Sequence, residues 1–282
     1  MTRERFQSPP PIPRRQPGVG TGLSGLPRWL AAAFRRLVQR TSPHAALLIT
    51  LAAGLIPALL LTVGSAELYE AVSESDGVAR LDDPVLDAAQ AVRSPALDGM
   101  VTAFTNLAGT VGMPVLALAA TAVMAVRWRS WTPVLLVVCA AAGSLLMTVV
   151  GKDLIGRARP SLSDAVPPFE HSPSFPSGHT LNSVVIAGVV AYLVVLHLRG
   201  TRARILTVAL AAVFAGAVGL SRVYLGHHWL TDVLVAWTLG LAWLAVVITA
   251  HRLLHSARAA EPQAGRQPST GGAGPDPGPD RA

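Results

Sequence analysis

The sequence WTPVLLVVCAAAGSLLMTVV, residues 131–150, has no charged side chain. A helix of about 20 apolar residues is long enough to cross the roughly 30 Å hydrocarbon core of a bilayer. The stretch also holds Cys139, the only cysteine of the chain, so the sequence offers no disulfide framework. It therefore predicts a transmembrane helix.

The composition of the whole chain agrees with this local pattern. Of 282 residues, 51% are hydrophobic and 14% are charged, and the mean hydropathy is positive. Six apolar segments separated by polar linkers predict an all-α fold, an integral membrane six-helix bundle. The segments are Ala45–Val63, Met100–Val126, Trp131–Val150, Thr180–Leu198, Ile205–Leu220 and Leu230–Ala250.

The two ends of the chain have a different composition. Residues 1–43 are rich in Pro, Arg and Gly, and residues 257–282 are rich in Pro and Gly. Such segments bury too little apolar surface to fold, so we predict disordered tails around a membrane domain at 44–256. The small residues at 64–66 also fit signal-peptide cleavage, but the long leader favours a retained first helix.

The distribution of charge predicts the orientation in the plasma membrane. Arginines are concentrated in both tails and in the linkers at 127–130 and 199–204, whereas the loop at 65–99 is acidic. Because basic residues stay on the cytoplasmic side, both tails are predicted to be cytoplasmic and the acidic loop to lie outside. The net charge of +7 is thus a topology signal, and no nucleic-acid partner is predicted.

This topology brings four segment ends together on the outer side of the membrane. The third segment ends near Lys152, the fourth begins near His179, the fifth ends near Arg222 and the sixth begins near His228. Residues far apart in the chain are therefore predicted to form one site at the membrane face.

A basic cluster is the first part of this site. Lys152 is the only lysine of the chain, and Arg159 follows it by seven residues, or two helical turns. Both are predicted to project from one helix face before Pro160 ends the helix, and together they suit an anion. A lone snorkelling lysine is the alternative. Arg157 lies off that face and is predicted to contact solvent or lipid headgroups.

Pro176-Ser177-Gly178-His179 predicts a turn that opens directly into a helix. The free N–H groups of a helix start and the Ser177 hydroxyl can cradle an anion, and Gly178 permits close approach of a ligand. An ordinary N-cap at Ser177 explains the same four residues equally well.

His228 and Asp232 are four residues apart and are predicted to share one face of a helix start. The carboxylate can fix the tautomer of the imidazole and leave the other ring nitrogen free as a nucleophile. The alternatives are an interfacial histidine and a helix N-terminal charge. His227 would point elsewhere on a helix and is predicted to be non-catalytic, although a loop geometry could exchange the two histidines.

These motifs resemble, in residue type, order and spacing, those of the type-2 phosphatidic acid phosphatase family, which shares its site with vanadium haloperoxidases. The positions that carry the resemblance are Lys152, Arg159-Pro160, Pro176–His179, Ser221-Arg222, His228 and Asp232. The resemblance implies a membrane lipid phosphatase that works through a phosphohistidine intermediate.

The resemblance also implies a role for each residue. His228 would attack phosphorus, Asp232 would orient it, and His179 would protonate the leaving oxygen and then activate water. The phosphate oxygens would be held by Lys152, Arg159, Ser177, Gly178 and Arg222. No metal or other cofactor is implied.

Other carboxylates and other functions need separate expectations. Asp153, Asp164 and Glu170 lack the spacing of metal ligands and are predicted to lie in a solvated loop. Amphiphiles that fit a site at the membrane face include phosphatidic acid, phosphatidylglycerol phosphate and polyprenyl mono- or pyrophosphates. A lipid phosphotransferase would use the same site. A haloperoxidase is usually soluble, and a transporter or scaffold would carry ionisable residues in the middle of its spans.

Overall fold

The computed structural model describes residues 43–74 and 76–264, and every regular element in this part of the chain is helical. The all-α prediction is confirmed. The predicted tail at 1–43 lies outside the described residues, apart from Pro43. The helices are α1 (Pro43–Glu74), a 3₁₀ turn (Gly77–Leu81), α2 (Asp82–Ala91), α3 (Pro95–Asn106), α4 (Gly112–Trp128), α5 (Thr132–Ile155), a 3₁₀ turn (Leu162–Asp164), α6 (Gly178–His197), α7 (Thr201–Tyr224) and α8 (Leu230–Ala264).

Five of these helices, α1 and α5 to α8, are long and apolar enough to cross a membrane. Their outer faces carry large apolar side chains, such as Leu60 at 65% and Leu146 at 63% exposure. Contiguous apolar surface of this extent is typical of a lipid-facing protein. The chain is therefore a multi-pass membrane protein.

The second predicted segment is not one helix. The chain leaves α3 at Asn106 and begins α4 at Gly112. Gly112 lies so close to the turn that a Cβ there would be 2.2 Å from the Asn106 carbonyl oxygen. In a continuous helix the ring of Pro114 would also meet the carbonyl of Thr110. The predicted span Met100–Val126 is thus corrected to a short helix, a turn and α4.

Two of the observed helices are longer than the apolar segments from which they were predicted. The first continues from Val63 to Glu74, and the last continues from Ala250 to Ala264. Leu, Ala, Arg and Glu all favour helix, so the helix outlasts the apolar sequence. Helix α8 thus continues past residue 256, the predicted end of the membrane domain, and residues 265–282 of the predicted C-terminal tail lie outside the described part.

The centre of the bundle is α6. Its residues Leu181, Val185, Val189 and Leu193 follow one another at four-residue spacing and are at most 1% exposed. They form one continuous stripe along the helix, and α5, α7 and α8 pack around it. This helix is where the largest share of apolar surface is removed from lipid.

The outermost helix, α1, packs along α8 through small and hydroxyl-bearing residues. Gly54 lies against Thr249, and the Ser65 hydroxyl is 2.7 Å from the Thr238 hydroxyl. Small residues let membrane helices approach closely, and hydroxyl pairs add hydrogen bonds between them. The same interface brings Tyr69, near the end of α1, to within 5.8 Å of the Phe175 ring.

The shorter helix α4 runs alongside α6 over most of its length. Near the start of α4, a Cβ at Gly109 would lie 3.4 Å from the His179 Nε2 atom. At its other end, the Trp128 ring stacks on His197 with 3.7 Å between centroids. Because His179 begins α6 and His197 ends it, α4 connects the two ends of the bundle.

Candidate active site

The predicted site residues meet at one end of the bundle, in a region formed by helix ends and the long loop between α5 and α6. The end of α5 brings Lys152, the start of α6 brings His179, and the end of α7 brings Arg222. The polar residues of this end contact one another across more than 70 residues of chain, as in the pair of Arg157 and Asp232. The predicted convergence of the four helix ends is thus found in the structure.

His228 lies in the tight turn between α7 and α8 rather than on the helix itself. Gly226 adopts a positive φ of 69°, and a Cβ there would be 2.1 Å from the Asp164 carbonyl oxygen. The N–H groups of His227 and His228 both donate to the Arg222 carbonyl oxygen, at 3.0 and 3.3 Å. The expectation that His228 shares a helix with Asp232 is corrected: α8 begins two residues later, at Leu230.

The two ring nitrogens of His228 have different surroundings. Its Nδ1 lies 3.4 Å from the Asp232 Oδ2, and its Nε2 lies 3.2 Å from the Arg159 Nη1. A proton on Nδ1 would be held by the carboxylate, and the lone pair of Nε2 would face the basic cluster. Burial lowers the pKa of His228 to about 4, against the opposing hydrogen bond to Asp232. The ring is therefore neutral near neutral pH, as a nucleophile requires.

Asp232 is fixed by three further donors. The Ser174 hydroxyl donates to Oδ2 at 2.5 Å, the Trp229 N–H donates to Oδ2 at 3.0 Å, and Arg157 donates to Oδ1 at 2.6 Å. The carboxylate itself is completely buried. With this many fixed partners, Asp232 holds one orientation toward His228.

Arg157 has a structural role that the sequence analysis did not foresee. Its guanidinium donates to Asp232, to the Thr231 hydroxyl at 2.8 Å and to the Asp82 carboxylate at 2.8 Å. Asp82 in turn accepts from the Thr231 N–H at 2.9 Å. The prediction that Arg157 contacts solvent or headgroups is wrong, because the end of α5 turns the side chain inward between two buried carboxylates.

The end of helix α5 also places Arg159 differently from the prediction. Helix α5 ends at Ile155, and Gly156 follows with a left-handed φ of 60°. Arg159 therefore lies in a loop and not two turns along the helix from Lys152. The two cations still share a neighbourhood, because both contact the Ser172 hydroxyl, each at 3.2 Å, and the Pro173 carbonyl oxygen.

Arg222 is the most deeply buried cation of the site, at 2% exposure. Its Nη2 donates to the Glu170 carboxylate, and its Nε has no hydrogen-bond partner among the described residues. The other oxygen of Glu170 is 2.8 Å from the Arg159 Nη2. Glu170 is thus not the solvated loop residue that we predicted, because its carboxylate bridges two of the predicted phosphate ligands.

The Ser177-Gly178-His179 turn packs tightly on α5. A Cβ at Gly178 would be 3.0 Å from the Thr148 side chain, so a larger residue would push the turn away. Ser177 occupies the N-cap position of α6, but its hydroxyl pairs with the Thr180 hydroxyl at 2.9 Å instead of capping the backbone. His179 is partly buried beside Gly109, within electrostatic range of Arg222 and Glu170.

His227 points away from this cluster. Its Nε2 lies 2.7 Å from the Val166 carbonyl oxygen, and burial lowers its pKa. The neighbouring histidines therefore occupy different environments, and only His228 contacts Asp232. This agrees with the prediction that His227 faces elsewhere.

Comparison with known proteins shows to which family the chain belongs. The family model described as the PAP2 superfamily matches residues 132–255. Phosphatidylglycerophosphatase B of Bacillus subtilis is 34% identical over 176 residues, which cover 62% of this chain and 85% of that protein. The chain belongs to the PAP2 superfamily. The family that the sequence motifs resembled is therefore confirmed.

A solved structure of a PAP2-type protein has the same fold. A transmembrane PAP2-type phosphatidylglycerolphosphate phosphatase from Bacillus subtilis aligns with a TM-score of 0.64 and 31% identity, covering 69% of this chain and 96% of that chain. The structure of Aquifex aeolicus LpxE is more distant, with 22% identity and a TM-score of 0.49. This PAP2 protein is a membrane phosphatase, a hydrolase that acts on phosphoric esters.

Four residues that contact the candidate site were missed or misjudged from the sequence: Asp82, Arg157, Ser174 and Glu170. Ser174 stands two residues before Pro176, so its proximity to that motif was an available signal. Arg157 was likewise next to a motif position. Asp82 had no such signal, since 149 residues separate it from its partner Thr231.

Proposed function

We propose that this PAP2 protein removes a terminal phosphate from a membrane lipid through a phosphohistidine formed on His228. The observation that carries the proposal is the imidazole of His228 held between Asp232 and Arg159. This arrangement directs one ring nitrogen to the cations that lie at one end of the helix bundle. The first substrate to test is phosphatidylglycerol phosphate, in view of the relative's name. Phosphatidic acid and polyprenyl pyrophosphate follow.

In the first chemical step, the lone pair of His228 Nε2 attacks phosphorus in line with the leaving oxygen. The N–P bond forms as the P–O bond to the lipid breaks. A bound phosphate dianion favours protonation of the His179 ring beside it, and His179 then gives this proton to the departing oxygen. Arg159, Arg222 and Lys152 neutralise the equatorial oxygens. The Nε of Arg222, which has no hydrogen-bond partner in the described part of the chain, supplies one such donor without breaking a bond seen there.

In the second step, water replaces the lipid. His179, now neutral, takes a proton from the water as its oxygen attacks phosphorus. The P–N bond breaks, its electron pair returns to His228 Nε2, and inorganic phosphate leaves. Throughout both steps Asp232 keeps the Nδ1 proton of His228 in place and stabilises the ring while it carries positive charge.

We further propose six crossings with the site on the outer face. In this scheme α4 is the second crossing, because its 17 residues span about 26 Å and run from the His179 end to the His197 end of the bundle. Six crossings leave both tails on one side, and the Arg-rich linkers make that side cytoplasmic. The substrate phosphate would then be in the outer leaflet of the plasma membrane.

A phosphotransferase is the second candidate, because the same phosphohistidine can pass its group to an alcohol instead of water. A transporter or scaffold is disfavoured by the clustering of ionisable residues at span ends rather than mid-span. Phosphate release without an added acceptor distinguishes hydrolysis from transfer.

The test is phosphate release by purified protein in detergent with EDTA present, on phosphatidylglycerol phosphate, phosphatidic acid and undecaprenyl pyrophosphate. We expect release from at least one lipid, inhibition by vanadate, and no release by the His228→Ala variant. Release that needs added Mg²⁺ would contradict the proposed metal-free site. Release that needs an alcohol acceptor would make the protein a phosphotransferase.

A further inference from the structure

Glu170 is an anion already seated among the proposed phosphate ligands. One carboxylate oxygen bonds Arg222 and the other lies 2.8 Å from Arg159. The side chain of Glu170 is 28% exposed, whereas those of Arg159 and Arg222 are 10% and 2% exposed. Burial alone would raise the pKa of the Glu170 carboxyl, but Arg222, with help from His228 and Arg159, lowers it to about 2. Glu170 is therefore charged at any working pH.

A phosphate placed on the same two guanidinium groups meets this carboxylate. Two anions side by side in a half-buried site repel each other, and the repulsion is stronger there than in water. Each guanidinium also has a limited set of donors in fixed directions, and Glu170 uses one from each. Binding of phosphate is therefore an exchange of one anion for another.

A cleft next to Glu170 can accept its side chain when phosphate displaces it. It belongs to the loop between α5 and α6, outside the α-helices, and it lines a cleft of about 360 Å³. The neighbouring His171 and Ser172 are exposed members of the same wall. Rotation of the Glu170 side chain into this cleft leaves the buried helices unchanged.

We propose that Glu170 is an internal competitor for the phosphate site that selects phosphomonoesters against phosphodiesters. This inference rests on the proposed function. An incoming phosphate displaces the carboxylate, and the carboxylate returns to the two arginines when inorganic phosphate leaves. Glu170 thus sets the affinity for substrate and product and is a specificity residue, acting through Arg159 and Arg222.

The selectivity follows from charge. Ordinary phospholipids carry a phosphodiester with one negative charge, whereas a phosphate monoester carries about 1.5 to 2 charges near neutral pH. Exchange of the Glu170 carboxylate for a diester gains no charge and gives up contacts with Arg159 and Arg222 that are already formed within the chain. Exchange for a monoester gains attraction to the three cations. In a membrane where diesters are abundant, Glu170 keeps them out of the site.

The test uses full-length protein in detergent and compares four forms: wild type, Glu170→Gln, Glu170→Asp and Asp153→Asn. Asp153 is the matched control, because it is an exposed acidic residue at the end of α5 without an ion pair among the described residues. Calorimetry measures binding of inorganic phosphate, and an activity assay measures inhibition by phosphatidylglycerol, a diester. Thermal unfolding checks that each variant is folded.

For Glu170→Gln we expect phosphate binding to tighten about tenfold or more, since loss of one charge-assisted bond to a competitor is worth that much. KM should fall, and inhibition by phosphatidylglycerol should become stronger. Glu170→Asp, which keeps the charge on a shorter side chain, should tighten phosphate binding by a smaller factor. Asp153→Asn should bind phosphate as wild type does.

Unchanged or weaker phosphate binding by a folded Glu170→Gln protein would overturn the inference and make Glu170 a structural residue. If that variant does not fold, Glu170→Asp decides in the same way. Calorimetry measures phosphate binding without turnover. The role of Glu170 and the proposed phosphatase function can therefore be refuted independently. Wild type that hydrolyses no lipid phosphate, while the affinities still differ as expected, would refute the proposed function and leave the role of Glu170 intact.

Discussion

At the scale of single residues, the proposed chemistry rests on the different surroundings of the two nitrogens of His228. Asp232 faces Nδ1, while Arg159 faces Nε2. The same turn directs the His227 ring to the Val166 carbonyl oxygen, 2.7 Å from its Nε2, and not to Asp232. Two chemically identical side chains therefore have different contacts because the backbone of the turn separates them.

The adjacent histidines give a direct prediction. His228→Ala should abolish turnover and any acid-labile phosphoenzyme, whereas His227→Ala should retain most of the activity. Trapping of ³²P-labelled enzyme from labelled substrate measures both effects. Phosphoenzyme in His228→Ala together with its absence in His227→Ala would exchange the two assignments.

The orienting carboxylate can be tested without removing its hydrogen bonds altogether. Asp232→Asn preserves size, but it no longer favours the Nδ1-protonated ring and no longer stabilises positive charge on it. By analogy with serine proteases, kcat should fall by about 10⁴-fold while substrate binding changes little. Kinetics of the variant at saturating substrate measure this. A fall of less than tenfold would mean that Asp232 only packs the turn.

At the scale of elements, the site is held by contacts between segments that are distant in sequence. Helix α2 contributes Asp82, whose carboxylate holds the Thr231 N–H and hydroxyl at 2.9 and 2.7 Å near the start of α8. Arg157, from the loop after α5, joins Asp82 to Asp232. Helix α2 thus holds the start of α8, next to the turn that carries His228, through Asp82.

This network predicts a coupled loss of stability and rate. Arg157→Gln leaves two buried carboxylates without a cation, which should lower the free energy of unfolding by about 3 kcal/mol. Misplacement of Asp232 should lower kcat about 100-fold. Thermal unfolding and kinetics measure the two effects, and Asp82→Asn combined with Arg157→Gln should be non-additive.

The control for this prediction is Arg80→Gln. Arg80 pairs with Asp76 on the surface, where the two side chains are 71% and 58% exposed, so its loss should have little effect. Equal effects of Arg80→Gln and Arg157→Gln, or additive effects of the Asp82 and Arg157 changes, would contradict a positioning network.

At the scale of the whole molecule, every described part of the site lies at one end of a lipid-facing bundle. The central helix α6 runs from His179 at the site to His197 at the opposite end. The ends of α5 and α7 and the start of α8 meet beside His179. A lipid can therefore keep its tails in the bilayer while its phosphate reaches the cations.

The proposed orientation predicts the outcome of labelling from outside the cell. In a Cys139→Ala background, a membrane-impermeant thiol reagent should label Ser75→Cys and should label Ser269→Cys only after permeabilisation. The reverse pattern would mean that the protein has the opposite orientation in the membrane. Labelling of both positions in intact cells would require an odd number of crossings, so that α4 would not be one of them.

The membrane-protein class and the phosphatase family could both be predicted from the sequence. Long uncharged segments specify membrane helices whatever their neighbours are, because the bilayer imposes a fixed length and excludes charge. The motif residues from Lys152 to Asp232 could be recognised because their types and spacing reflect the needs of phosphate chemistry. The family was predicted on these grounds and confirmed by comparison.

The tertiary structure alone decided how these pieces are arranged. Apolar segments that look alike in composition differ in burial, from half of the most apolar window in α6 to 6% in α1. The break before α4, the inward turn of Arg157 and the carboxylate partners from Asp82 and Glu170 each depend on a close approach to a distant segment. Local sequence carries no record of such contacts, because their energies arise only when the helices have packed.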